Sequence, residues 1–344
     1  MKTTALDSSE YLVISNDDLL TEILFRLPVS SLVIFKSVSK RWINLITNPS
    51  FTLRRSQNPI LEPPSGLFIQ RENPFIYAFV PLDIKIPSPC TTFSLEFDSQ
   101  KAEILQSCNG LILCRNMSHN LYVYNPSTNR SKPIPKPLLN ASRFLNLRYR
   151  FTLQKQAIGV FVCDRFPFQC FRNGGFNNGI YWNGGIHWLD GINMVSLYML
   201  DVEHPVLAII ETPRESLSGV YHQKLFESGG CLLLLCIGPF DSRQLSIYEM
   251  SKRCSSWSMK YIVNFDDIRV KYLKTFAWKR PERVCASVQC IVIGKKEEDS
   301  FLVIGIYGKM IKYNMVSKTT CKICDLDSLD SSDCFEFIAS FAGV

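Results

Sequence analysis

Cys321-Lys322-Ile323-Cys324 has the spacing at which two thiolates can share a zinc ion. A structural zinc site needs four ligands, however, and no second pair lies nearby; Cys334 is at best a lone third. Asp266-Asp267 is a carboxylate pair that could do acid–base work, but adjacent acidic residues are more often a solvated turn. Four histidines, His119, His187, His204 and His222, offer few general bases, and His187 beside Trp188 reads as a hydrogen-bonded core residue. There is no Gly-rich phosphate loop, no Gly-x-Ser-x-Gly elbow and no His-Glu-x-x-His helix. The expectation is no catalytic residue, no metal and no cofactor, which leaves binding as the chemistry to look for.

Binding chemistry is concentrated in Ile14 to Phe51, which packs three short helical patterns into fewer than forty residues. Ser15 and Asp18 have the spacing of an N-cap and an acidic third position, so a helix should begin near Asn16. Leu19, Leu20, Ile23, Leu24 and Leu27 recur at three-to-four spacing, and Pro28 ends the stripe. Ser30 or Ser31 can cap a second helix carrying Leu32, Ile34 and Phe35. Ser39 can cap a third carrying Trp42, Ile43, Leu45 and Ile46, which Asn48-Pro49 stops. A unit below ~40 residues rarely hides this much apolar surface alone. A docked partner is implied, against the plainer reading of a helical cap on the rest of the chain.

Past Asn58 the texture changes. Pro59, Pro63-Pro64, Ser65 and Gly66 break the periodicity and read as a linker. From Leu67 onward the apolar runs are short and bounded by Gly, Asn, Pro or Ser, among them Gly110-Leu-Ile-Leu-Cys114, Cys231-Leu-Leu-Leu-Leu-Cys236 and Phe301-Leu-Val-Ile-Gly305. Turns near 109, 183, 229 and 307 introduce similar strand pairs. Taking the longer gaps between them as two units each gives roughly 40 residues per unit, the length of a four-stranded propeller blade. About six blades fit the remaining chain; a two-sheet sandwich is the alternative. Asn109-Gly110 and Asn183-Gly184 suit turns needing positive φ, Asn125-Pro126-Ser127-Thr128 suits a turn whose side chains bond back to the backbone, and Trp188 and Trp257 read as core residues between blades.

Composition limits the alternatives. The 344 residues are 46% hydrophobic, which excludes wholesale disorder. The longest apolar run, Cys231 to Ile237, is far short of the ~20 residues of a membrane helix, and no basic, apolar leader precedes Glu10. Thirteen cysteines without paired spacing, many in strand-like runs, fit a reducing compartment, so a cytoplasmic or nuclear location is expected. The Asn116-Met117-Ser118 and Asn140-Ala141-Ser142 patterns are then chance matches. The net charge is +7, but residues 1–57 hold seven Lys/Arg against five Asp/Glu, leaving +5 over the other 287, and the basic doublets lie far apart. Neither nucleic acid nor membrane is an expected partner.

Asp18-Leu19-Leu20, Glu22-Ile23-Leu24, Arg26-Leu27-Pro28-Val29, Ser31-Leu32, Phe35-Lys36, Val38-Ser39-Lys40-Arg41-Trp42, Leu45-Ile46, Pro49 and Phe51 resemble, in order and without a gap, the plant-type F-box motif. The resemblance implies docking on a Skp-type adaptor that leads to a cullin ubiquitin ligase. Carried over by position, the adaptor contacts would be Ile14, Leu20, Ile23, Leu24, Leu27, Pro28, Leu32, Val38 and Trp42, a set in which residues that hold the helices together are mixed with residues that face the adaptor. The usual opening Leu-Pro is Ile14-Ser15 here, which makes the entry turn less rigid.

Ser107 to Leu111, Asn125 to Thr128, Asn183 to Leu189, Ser246 to Met250 with Ser256-Trp257, and Lys309 to Asn314 resemble the F-box-associated domain, a kelch- or propeller-like module. That resemblance implies capture of a protein substrate for ubiquitination. The expected organisation is a small all-α F-box at 10–56, a linker at 57–66, an all-β propeller-like domain at 67–330 and a C-terminal tail at 331–344: an α+β chain with its two classes segregated. Three functions follow: a non-catalytic ligase adaptor, a scaffold whose F-box no longer engages the ligase, or a hydrolase using the propeller's channel.

Overall fold

The computed structural model describes residues 15–57, 63–82, 91–108, 110–135, 149–154, 157–162, 180–183, 185–189, 193–198, 206–213, 222–238, 244–252, 256–264, 268, 286–306, 308–325 and 333–340. The first described elements are four helices: α1 (Asp17–Phe25), α2 (Val29–Phe35), α3 (Lys40–Thr47) and α4 (Pro49–Gln57). The described elements that follow are strands, with one 3-10 turn at Glu297–Asp299. The segregated all-α then all-β order is therefore as expected.

From Gly66 the described strands form six sheets, the blades of a propeller. Blade 2 is built on Gln100–Cys108, Leu111–Asn116, Leu121–Asn125 and Arg130–Ile134, with the short strand Leu95–Phe97 added at its inner edge. Tyr149–Gln154 and Ala157–Val162 are the described strands of blade 3. Blade 4 runs through Ile180–Trp182, Gly185–Leu189, Asn193–Tyr198 and Val206–Glu211. Blade 5 has His222–Ser228, Cys231–Ile237, Gln244–Met250 and Ser258–Asn264, and blade 6 has Ala286–Val292, Phe301–Ile306, Lys309–Asn314 and Thr320–Asp325.

Blade 1 closes the ring. Gly66–Gln70, Tyr77–Pro81 and Thr91–Phe93 supply three strands, and the innermost is Cys334–Phe337 from the far end of the chain, with Leu67 opposite Glu336 and Phe68 opposite Phe335. Cys334–Phe337, expected to lie in a C-terminal tail at 331–344, is thus a strand of the ring. A four-residue strand behind a run of Asp and Ser shows little periodicity by itself, which is why it reads as a tail.

The unbroken apolar run Cys231 to Ile237 now has a physical cause. Successive side chains of a strand point to opposite faces, and here both faces are covered. Leu233 and Leu235 pack toward blade 6 with Val288, Ile291, Leu302 and Ile304, while Leu232, Leu234 and Cys236 pack toward blade 4 with Trp182. Blade 6 repeats the pattern, with Val303 facing Leu67 and Ile69 of blade 1. The seam between blades 1 and 2 is aromatic: Phe68 lies 5.4 Å from Phe79 and from Phe93 and 5.5 Å from Phe337. Across it the Ile104 amide donates to the Tyr77 hydroxyl at 2.7 Å.

The regular repeat read from the sequence needs correcting in one place. The turns at Gly110, Asn183 and Gly229 join first and second strands, whereas the turn at Gly308 joins the second and third strands of blade 6. The equivalent blade 6 connection is the longer segment from Ile293 to Ser300. Gly110 and Asn183 have φ of +80° and +47°, as their turns were expected to need.

At the closure, the Cys290 thiol donates to Glu336 Oε1 at 3.1 Å, and Lys224 and Glu227 of blade 5 also act on that carboxyl. Burial pushes the Glu336 carboxyl up to about 7, against the smaller opposing effects of the thiol and Lys224. The fold therefore keeps a proton that the unfolded chain releases above its ordinary value of 4.5, and stability falls as pH rises from there to about 7. A shift of this size is worth at most about 3 kcal/mol, and less for a half-buried group. Glu336→Gln should match the parent's melting temperature near pH 5 and exceed it by several degrees at pH 8 in thermal melts; equal differences at both values contradict this.

Candidate partner-binding surface

Helix α1 is capped by Asn16, whose side chain accepts from the amides of Asp18 at 2.9 Å and Leu19 at 3.2 Å. Asn16, not Ser15, is the cap. The second helix begins at Val29 behind Pro28, with no side-chain cap, so Ser30 and Ser31 lie inside it. Ser39 does cap the third, accepting from the Trp42 amide at 3.2 Å. Asn48-Pro49, expected to be a stop, also starts a fourth helix. Proline's fixed φ suits a first helical position, and Asn48 Oδ1 accepts from the Ser50 amide at 2.9 Å.

That fourth helix completes the core. Leu20, Leu24, Val29, Leu32, Ile46 and Phe51 are buried together, with Phe25, Leu27, Phe35, Trp42 and Leu45 packed around them. Phe35 and Trp42 meet edge to face at 5.1 Å, as do Phe25 and Phe51 at 6.2 Å. Arg41 ties α3 to the start of α1, donating to Asp17 Oδ1 at 2.7 Å and to the Ser15 carbonyl at 2.9 Å. Arg54 of α4 pairs with Glu22 and holds its carboxyl below the ordinary value, and its guanidinium lies 4.3 Å from the centre of the Phe25 ring. Buried Arg55 donates to the Phe25 carbonyl at the end of α1.

With the core filled, an apolar set is left over. Leu19, Ile23, Val33, Ile34, Val38 and Ile43 are exposed, Ile34 by 66% and Val38 by 57%; they are six of the ten large apolar side chains exposed among the described residues. Their concentration on one small helical unit makes that unit the candidate interaction site. The nine residues carried over from the motif divide accordingly. Leu20, Leu24 and Leu32 are core, Leu27 and Trp42 are half-buried at its edge, and Ile23, Pro28 and Val38 are exposed; Ile14 lies outside the described residues.

Leu19, Val33, Ile34 and Ile43 were missed as surface candidates. The signal was in adjacent pairs: Leu19-Leu20 and Ile23-Leu24 stand about 100° apart on a helix, too wide for one face. Leu20 and Leu24 turn inward, and Leu19 and Ile23 turn out.

Residues 16–54 match the F-box domain family. These residues form an F-box domain. Over 98% of its length the chain is 28% identical to an F-box protein of Arabidopsis thaliana, covering 94% of that relative. A second F-box protein of the same plant is 34% identical over 35% of this chain and 31% of its own, and an F-box/kelch-repeat protein described as putative is 28% identical over 37% and 36%. Among solved structures, YCF48 bound to D1 peptide aligns over 78% of this chain and 86% of that one at 8% identity and a TM-score of 0.36, too distant to add to what the sheet order shows. F-box proteins generally act as substrate adaptors, and the F-box here carries exposed apolar side chains outside its core.

The other chemistry-bearing residues are dispersed. Cys321 is exposed and Cys324 packs toward the seam of blades 6 and 1. Among the described residues no three His, Cys, Asp or Glu side chains are grouped to hold a metal. His187 is fully buried, its Nε2 lies 2.9 Å from the Trp182 carbonyl, and burial pulls its pKa below the ordinary value, so it is a neutral core donor. Trp182, which sequence reasoning passed over, is the buried indole of blade 4 and donates to the Gly230 carbonyl of blade 5 at 2.8 Å. Trp257 packs beside it, while the Trp188 side chain, Asn109, Gly184, Asp266-Asp267 and His204 lie outside the described residues. No helix among the described residues is long and apolar enough to cross a membrane.

Proposed function

We propose that this chain is the substrate-recognition subunit of a Skp/cullin/F-box ubiquitin ligase. Its F-box binds the Skp-type subunit, its propeller captures a protein to be ubiquitinated, and the chain itself performs no chemistry. The observation that carries this is the exposed set Leu19, Ile23, Val33, Ile34, Val38 and Ile43 on a four-helix unit whose own core is already filled. Burying a fully exposed Leu or Ile is worth about 1.5–3 kcal/mol. Covering six that are about half exposed is worth on the order of 6 kcal/mol, a substantial share of a stable complex.

Ubiquitin transfer in such an assembly works by proximity. A captured protein's lysine is held near the charged conjugating enzyme, which raises its effective concentration without any catalytic residue here. Co-expressed with a Skp-type adaptor and a cullin, the full chain should elute with both as one stoichiometric complex. Elution of the chain alone contradicts the proposal and favours a scaffold whose F-box is idle.

A further inference from the structure

The chain enters and leaves the propeller at one point. The Ser65 amide donates to the Phe337 carbonyl at 2.9 Å, so the end of the linker and the end of the closing strand are bonded together. The three residues after Phe337 are held from two sides. On one side, Ala339 packs against the F-box core of Leu20, Leu24, Val29, Leu32, Ile46 and Phe51. On the other, blade 2 grips Ser340: its amide donates to Ser127 Oγ at 3.0 Å, and its carbonyl accepts from Asn125 Nδ2 at 3.1 Å.

Two details show that blade 2 is shaped for this grip. Asn125 is fully buried, and its Oδ1 accepts from the amides of Ser127 at 2.8 Å and Thr128 at 3.3 Å, which leaves the amide nitrogen aimed at Ser340. Gly110 comes so close that a Cβ there would lie 2.4 Å from the Ile338 carbonyl oxygen and from Ser340 Cβ. The turn Asn125-Pro126-Ser127-Thr128, read from sequence as self-bonding, is thus also a clasp.

We infer that Ile338-Ala339-Ser340 is a rivet fixing the F-box to the seam between blades 1 and 2, so that the fold, and not linker length, sets the F-box orientation on the ring. Its use rests on the proposed ligase role, since a fixed joint selects which lysines of a captured protein reach the conjugating enzyme. The joint itself is independent of that role. Hydrogen exchange on the full chain without adaptor tests it. Ala339→Asp should speed exchange across Asp17–Gln57 by about tenfold while leaving Cys231–Ile237 unchanged. Asn125→Ala, which loosens Ser340 without touching the F-box, should act in the same direction.

Unchanged F-box exchange in both variants overturns the rivet, as does acceleration spreading equally to Cys231–Ile237. An effect confined to Ala339→Asp overturns the clasp. Adaptor binding measured on the parent chain separates this inference from the ligase reading, because its absence there sinks the ligase role and leaves the exchange result standing.

Discussion

A chain ending at Ser332 is expected to lose cooperative folding of its ring, whereas one ending at Ser340 folds like the parent. The shorter chain lacks Cys334–Phe337, the inner strand of blade 1, and with it the pairing along Gly66 to Ile69. It also lacks Phe335 and Phe337 from the aromatic seam with blade 2, and the Glu336 partner of Cys290 on blade 6. Truncating a fully buried Phe costs about 3–5 kcal/mol; these two are partly buried and count for less each, but losing both with a strand's hydrogen bonds removes a large share of the 5–15 kcal/mol that holds a domain together. Urea unfolding followed by intrinsic fluorescence shows the outcome: a broad, shallow change for the short chain and a steep one for the longer. A steep, parent-like transition in the chain ending at Ser332 would mean that the ring does not depend on this closure.

Leu24 and Ile23 are neighbours in sequence, and changing each to Asp should give opposite phenotypes. Leu24 is fully buried among Leu20, Leu32, Ile46 and Phe51, so a carboxylate there is left without a partner in an apolar core. The expected cost is about 3–5 kcal/mol, enough to unfold a unit of this size. Circular dichroism of Leu24→Asp should lose helical signal while the strand signal persists. Ile23, about 100° round the same helix, is 46% exposed. Ile23→Asp should keep its helical signal and lose adaptor binding. Equal loss of helix in both, or adaptor binding retained in Ile23→Asp, contradicts the division into core and surface.

Much of the F-box was legible because capped helices carry their signals locally. Ser39, Pro28 and the three-to-four spacing of Leu20, Leu24 and Leu27 mark an element or its end within one turn of chain. Pro49 shows the limit of local reading, since proline both ends one helix and starts the next. The blades were legible as strands through runs such as Cys231 to Ile237, but the ring's closure was not: Cys334–Phe337 gains its identity from pairing with Gly66–Gln70 more than 260 residues earlier. The same holds for the clasp. Asn125 and Ser127 announce a turn to any reader of the sequence, and nothing near them announces Ser340. Which F-box residues face a partner was half legible, because the motif marks positions while their division depends on how α4 fills the core.

Titration calorimetry of a purified Skp-type adaptor into the full chain tests the central claim most directly, with Ile23→Asp/Val38→Asp as the comparison. The account predicts one-to-one binding by the parent and a loss of at least about 100-fold in the double variant, equivalent to roughly 3 kcal/mol, with its melting temperature unchanged. Equal affinity in parent and variant, or no heat of binding with the parent, contradicts it.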